Sequence, residues 1–158
     1  MKILENLAGE ICKVILPIPE EVYFGNQNST IVVCTLSSID LLRKLSNSAL
    51  LQSVAVVGRL LSENKGIESL VRYVISHPNI KTIVLCGNEV WGHKAGHSLL
   101  TLHKNGINNS GRIINSSSPD PILTLTKFEV KKFQIQVRMI DMIDETNQEK
   151  IIQLIKSV

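Results

Sequence analysis

Three short runs of β-branched and aliphatic residues, at positions 30–36, 53–58 and 80–86, are separated by stretches whose apolar residues recur at helical spacing. Apolar runs of this length, bounded by polar or glycine residues, read as strands buried on both faces. Residues 37–48 carry Ile39, Leu41, Leu42 and Leu45 at helical spacing. Residues 66–77 place Ile67, Leu70, Val71, Val74 and Ile75 on one helical face, and Pro78 ends that helix. Further on, Ile113-Ile114 marks a short fourth strand, residues 126–136 a helix and residues 137–143 a fifth strand. Ile151, Ile152 and Ile155 mark a closing helix. This alternation predicts a single α/β, Rossmann-like domain, a mainly parallel sheet of about five strands with helices on both faces. Residues 1–29, with Pro17 and Pro19, are expected to form a helical or extended arm packed on the domain at residues 30–158.

Composition narrows the partners. With 158 residues and 44% apolar content, the chain can bury one proper core. No stretch approaches the roughly 18 apolar residues of a membrane span, and the start Met-Lys-Ile-Leu-Glu-Asn lacks the long apolar core of a signal peptide. Cys12, Cys34 and Cys86 lie far apart, two of them in strand patterns, as expected of buried thiols in a reducing cytoplasm. The charge of +3 is scattered, the doublet Lys131-Lys132 reads as a solvated helix face, and aromatics are 4%. No nucleic-acid partner is expected from that pattern.

The segment with chemistry is Ile83-Val-Leu-Cys-Gly-Asn-Glu-Val-Trp-Gly-His-Lys-Ala-Gly-His97, a strand, a glycine-punctuated turn and a helix read as beginning near Trp91. Ligands of open α/β sheets collect at the carboxyl ends of the strands, which is where His93 falls. On that helix Ala95, Leu99 and Leu102, with Trp91 close by, form the stripe facing the sheet. His93 and His97 lie together roughly opposite, and His103 points elsewhere. Two histidines could contribute to a bare zinc site, but two ligands are too few and Glu89 is the nearest acid. His97 sits beside Lys94 and Lys104, as a surface histidine would. A second loop, residues 58–68, places Ser62, Glu63 and Asn64 before Gly66 at a helix start, suited to capping or to a ligand. It is neither a dinucleotide loop nor a P-loop. There is no Gly-x-Ser-x-Gly elbow, and Asp120 and Asp141 have no evident base partner. Spacing alone leaves surface histidine, metal ligand and cofactor ligand open.

The two loops together resemble those of the corrinoid-carrying A subunit of tetrahydromethanopterin S-methyltransferase. The resemblance rests on Ser62-Glu-Asn-Lys-Gly-Ile-Glu68, on His77-Pro-Asn-Ile80 and on Leu85-Cys-Gly-Asn-Glu-Val-Trp-Gly-His-Lys-Ala-Gly96. It spans residues 23–143. It implies a cobamide (cobalamin or 5-hydroxybenzimidazolyl cobamide) at the carboxyl end of the sheet, with His93 as axial ligand to cobalt. Further contacts are implied for Ser62, Glu63, Asn64, Gly66, Gly87, Glu89, Val90, Gly92, Gly96 and Ser116. The implied activity is that of a methyl carrier between methyl-tetrahydromethanopterin and coenzyme M, working with other methyltransferase subunits. The alternative is a soluble corrinoid-binding or regulatory homologue outside the sodium-pumping complex. This chain lacks the Asp-x-His-x-x-Gly motif of other corrinoid domains and ends at Val158 without the membrane helix of that complex. Residues 57–61 and 115–121 depart from the family's loops.

Overall fold

The computed structural model describes residues 21–158; residues 1–20, which hold Cys12, Pro17 and Pro19 of the expected arm, lie outside the described residues. Along the chain the elements are β1 (Val22–Phe24), β2 (Ile31–Cys34), α1 (Ile39–Ser46), a 3-10 turn (Ala49–Ser53), β3 (Val56–Gly58), α2 (Lys65–Ser76), β4 (Thr82–Gly87), α3 (Ala95–Asn105), α4 (Lys127–Gln136), β5 (Arg138–Ile143) and α5 (Gln148–Ser157). They form one five-stranded sheet of order β1-β3-β2-β4-β5. β3, β2, β4 and β5 run parallel, and β1 pairs antiparallel with β3.

Period-two alternation sends the strand residues to two separate cores. Val32, Cys34, Val56, Ile83 and Leu85 meet α2, α3 and α4 on one face. Ile31, Val33, Val57, Val84 and Cys86 meet α1 and α5 on the other. The inner strands β2, β3 and β4 are buried at every position. β5 is half-exposed and carries Arg138 and Asp141, charges that suit a sheet edge. The arrangement is the expected Rossmann-like α/β domain, covered on both faces.

Two expectations change. Ile113-Ile114 is no strand of the sheet: Ile113 makes an isolated bridge to Ile107, and Arg112 makes one to Ile122. Ile113 is buried among the helices, so its apolar character reflects packing rather than strand pairing. The sheet takes its remaining strand from β1 instead, three exposed residues within the expected arm. It is too short to show period-two alternation. The helix after β4 starts at Ala95, not near Trp91, because Gly92 (φ 78°) and Lys94 (φ 50°) adopt left-handed conformations that no α-helix contains. Trp91 is therefore off the buried stripe and 83% exposed. Ala95, Leu99 and Leu102 are buried as expected. Among the described residues, no helix is long and apolar enough to cross a membrane.

From β2 the chain moves outward to β3, then crosses to β4 on the other side, so a switch point lies between the carboxyl ends of β2 and β4. Side chains bridge the loops there. Ser37 Oγ donates to Asn88 O at 2.8 Å, and Ser38 Oγ accepts from Asn88 N at 2.8 Å. Gly87 (φ 76°) packs against this junction so closely that a Cβ would stand 2.3 Å from Thr35 O. Gly92 shares the positive φ, but a Cβ there would meet nothing within 4 Å.

The contrast gives a stability test by urea denaturation. Gly87→Ala is expected to cost at least ~2 kcal/mol, from conformational strain plus a backbone clash. Gly92→Ala, with strain alone, should cost about 1 kcal/mol. Equal losses would show that the close approach at Gly87 carries no energy of its own.

Candidate functional site

His93 stands in the turn between β4 and α3. Lys94 N donates to Val90 O at 2.8 Å and closes that turn. Lys94 makes no side-chain cap for α3. Glu89 does so from outside the helix: Oε1 accepts from Val90 N at 2.7 Å and Gly96 N at 3.0 Å, and Oε2 accepts from His97 N at 2.8 Å. An acid placed here satisfies donors that the helix leaves unpaired and complements its positive end. A Cβ on Gly96 would stand 2.9 Å from Ile143 Cδ1 and 3.0 Å from Glu89 Oε2, so the glycine admits the carboxylate. Val90 is buried in the core. Gly87, Glu89, Val90 and Gly96 thus build the turn that Gly92 and His93 crown.

The second loop, between β3 and α2, meets this turn through Glu63. On either side of it, Ser62 Oγ accepts from Gly66 N at 2.8 Å and Asn64 Oδ1 accepts from Lys65 N at 2.7 Å, so both neighbours cap α2. Glu63 itself is 1% exposed. Its Oε2 lies 2.7 Å from His93 Nδ1, and its Oε1 accepts from Asp120 N at 3.1 Å. A carboxylate can only accept, so Nδ1 carries the proton, and in the neutral ring the lone pair sits on Nε2. Burial pushes the Glu63 carboxyl up. The hydrogen bonds from His93 and from backbone N–H groups outweigh that and hold it below the ordinary carboxyl value.

A third segment, between α3 and α4, closes the set. Asn64 Nδ2 donates to Asp120 Oδ2 at 3.1 Å. The fully buried Ser98 of α3 holds Ser116 Oγ at 2.7 Å and Ser118 Oγ at 2.6 Å. Ser118 Oγ also donates to Lys94 O at 3.3 Å, tying the segment to the residue after His93. The structure therefore brings Glu63, Asn64, His93 and Ser116 into one linked cluster. It adds Ser98 and Ser118, and it gives Asp120, for which the sequence showed no partner, a place beside Asn64 and Glu63. Asp120, fixed between Pro119 and Pro121, was the one visible hint of a shaped loop.

The other histidines serve locally. His97 belongs to α3, while His93 precedes it, so the expected shared helix face does not form. His97 Nε2 lies 3.5 Å from Thr101 Oγ1 and from Ser117 N. His103 Nε2 lies 2.8 Å from Val137 O, with its ring edge-on to Phe133. Among the described residues no group of three His, Cys, Asp or Glu side chains could hold a bare metal ion. Any metal at His93 would need most of its ligands from elsewhere.

The same chain matches known proteins along most of its length. The family model for the A subunit of tetrahydromethanopterin S-methyltransferase (MtrA) matches residues 16–158. The A subunit of the "Putative methyltransferase Mtx" of Methanosarcina barkeri is 41% identical over 133 residues, 84% of this chain and 64% of that protein. The tetrahydromethanopterin S-methyltransferase A subunit of Methanocaldococcus jannaschii is 38% identical over 138 residues, 86% of this chain and 56% of its own. The protein numbered A 2 of the same enzyme from Methanothermobacter thermautotrophicus is 32% identical over 144 residues, 85% and 76% respectively. The chain thus spans less than two thirds of the first two relatives.

A depressed carboxyl pKa stabilises the fold above the unfolded value, and that stability is lost as pH falls through the folded one. Glu63 should therefore lend stability that is complete at neutral pH and declines below about pH 4. Urea midpoints for wild type and Glu63→Gln, taken from pH 7 to pH 3, should converge on acidification. A constant gap would exclude this linkage.

Proposed function

The chain belongs to the MtrA family, the A subunits of tetrahydromethanopterin S-methyltransferase, and from that membership and the Glu63–His93 pair we propose that it carries a cobamide with His93 as axial ligand to the cobalt. The observation that supports this most directly is the 2.7 Å contact between His93 Nδ1 and the buried Glu63 carboxylate. Metal-ligating histidines commonly donate their second ring nitrogen to a carboxylate, which fixes the tautomer and raises the basicity of the ligating nitrogen. A macrocycle fills a metal's equatorial positions itself, so one protein ligand suffices where a bare ion would need three or more. That donor set is the one this site offers.

A bound cobamide supplies a cobalt centre that takes up a methyl group and hands it on, and the organic chemistry belongs to the cofactor. The chain's residues would hold it and set the surroundings of its metal. Nε2 of His93 would be the ligating atom, while Glu63 keeps Nδ1 protonated and the ring oriented. Ser62, Asn64 and Gly66 set the backbone of the Glu63 loop. Gly87, Glu89, Val90 and Gly96 hold the turn beneath Gly92 and His93. Ser116, through Ser98, brings the third segment alongside. Like the relatives named for tetrahydromethanopterin S-methyltransferase, the chain would take its methyl group from a methylated tetrahydromethanopterin and work with further methyltransferase subunits.

The test is an absorbance titration of the purified chain with Co(III) cobalamin. Wild type should bind saturably with a visible-band shift, and His93→Ala should lack the shift while keeping its fold. Glu63→Gln should keep the ligand but bind about 10- to 100-fold more weakly. A wild-type spectrum from the His93→Ala complex would remove His93 as the ligand.

A further inference from the structure

Trp91 is the single tryptophan of the chain, and it stands two residues before His93. Its 83% exposure is the highest of the exposed large hydrophobic side chains among the described residues. An indole left in water forgoes the stabilisation of burial, which a flat ligand laid against it would restore. The segment is pinned on both sides: Val90 is buried, Lys94 N bonds to Val90 O, and His93 bonds to Glu63. Gly92, between the two, borders open space. The side chain is thus carried by a fixed turn, beside a residue proposed to hold a large planar ligand. Two residues of chain span about 7 Å at most, less than the combined reach of an indole and a macrocycle.

We propose that Trp91 is a cofactor-positioning residue, laying its indole against the macrocycle held at His93 and shielding the Nε2 side from water. This rests on the cobamide reading. It goes beyond that reading by assigning a contact to a residue outside the loop glycines and the Glu63–His93 pair. The indole offers a flat apolar face to the ring and an N–H donor to the polar groups on its rim.

The measurement is the dissociation constant for Co(III) cobalamin, by absorbance, for the purified chain and its Trp91→Ala, Trp91→Phe and His93→Ala variants. Circular dichroism should show the two Trp91 variants folded like wild type, since Trp91 belongs to neither core cluster. Burying one large aromatic side chain is worth enough that Trp91→Ala should weaken binding about tenfold or more. The saturated spectrum should still show the His93-dependent shift, and Trp91→Phe should recover much of the loss. A wild-type constant for Trp91→Ala overturns the contact while leaving the cobamide reading intact. A weakened constant that Trp91→Phe does not improve also overturns a stacking role. A wild type that binds no cobalamin overturns the cobamide reading, and this contact with it.

Discussion

A carboxylate that is 1% exposed must be paired, and Glu63 is paired by drawing two other segments onto itself. One oxygen takes the His93 ring and the other takes the backbone of Asp120, so three loops share one buried charge. Remove the charge and two donors lose their acceptor in a place water barely reaches. The same contact decides the tautomer of His93. Stability and the tautomer of His93 therefore meet in one hydrogen bond.

The turn around His93 depends on a second acid, Glu89, which spends its oxygens on the start of α3. Because Glu89 caps α3 from a position before the helix, no residue at 91–94 is needed for capping. The backbone there can adopt the left-handed steps at Gly92 and Lys94 that lift His93 off the helix axis. Had the helix begun near Trp91, its indole would have joined the buried stripe, and His93 would have lain beside His97. The actual geometry separates the two histidines in role. One meets a buried carboxylate, and the other completes the first turn of α3. Among the described residues no group of three metal-ligating side chains assembles around either histidine.

The strands at β2, β3 and β4 were legible because burial on both faces leaves an uninterrupted aliphatic run, which few other structures produce. The helices at residues 65–76 and 95–105 were legible from their apolar stripes. What escaped was set by contacts between distant segments. β1 is three exposed residues paired with β3, and nothing in Val22-Tyr-Phe24 announces that partner. Ile113 looked like a strand residue because burial demands apolar side chains whether or not a strand supplies them. Ser98 and Ser118 are ordinary serines in the sequence. They matter because folding sets their hydroxyls 2.6 Å apart.

The sequence by itself determined the alternation of elements, the two-sided sheet, the glycine turn after β4 and the family to which that turn belongs. These are local properties, written in periodicity and in residues that only certain backbone conformations accept. Tertiary structure decided which acid pairs with His93, and it chose Glu63, thirty residues away, over the adjacent Glu89. The reason is burial. Glu89 spends both oxygens on the helix end, whereas Glu63 is sealed between loops and can be satisfied only by donors that the fold brings to it.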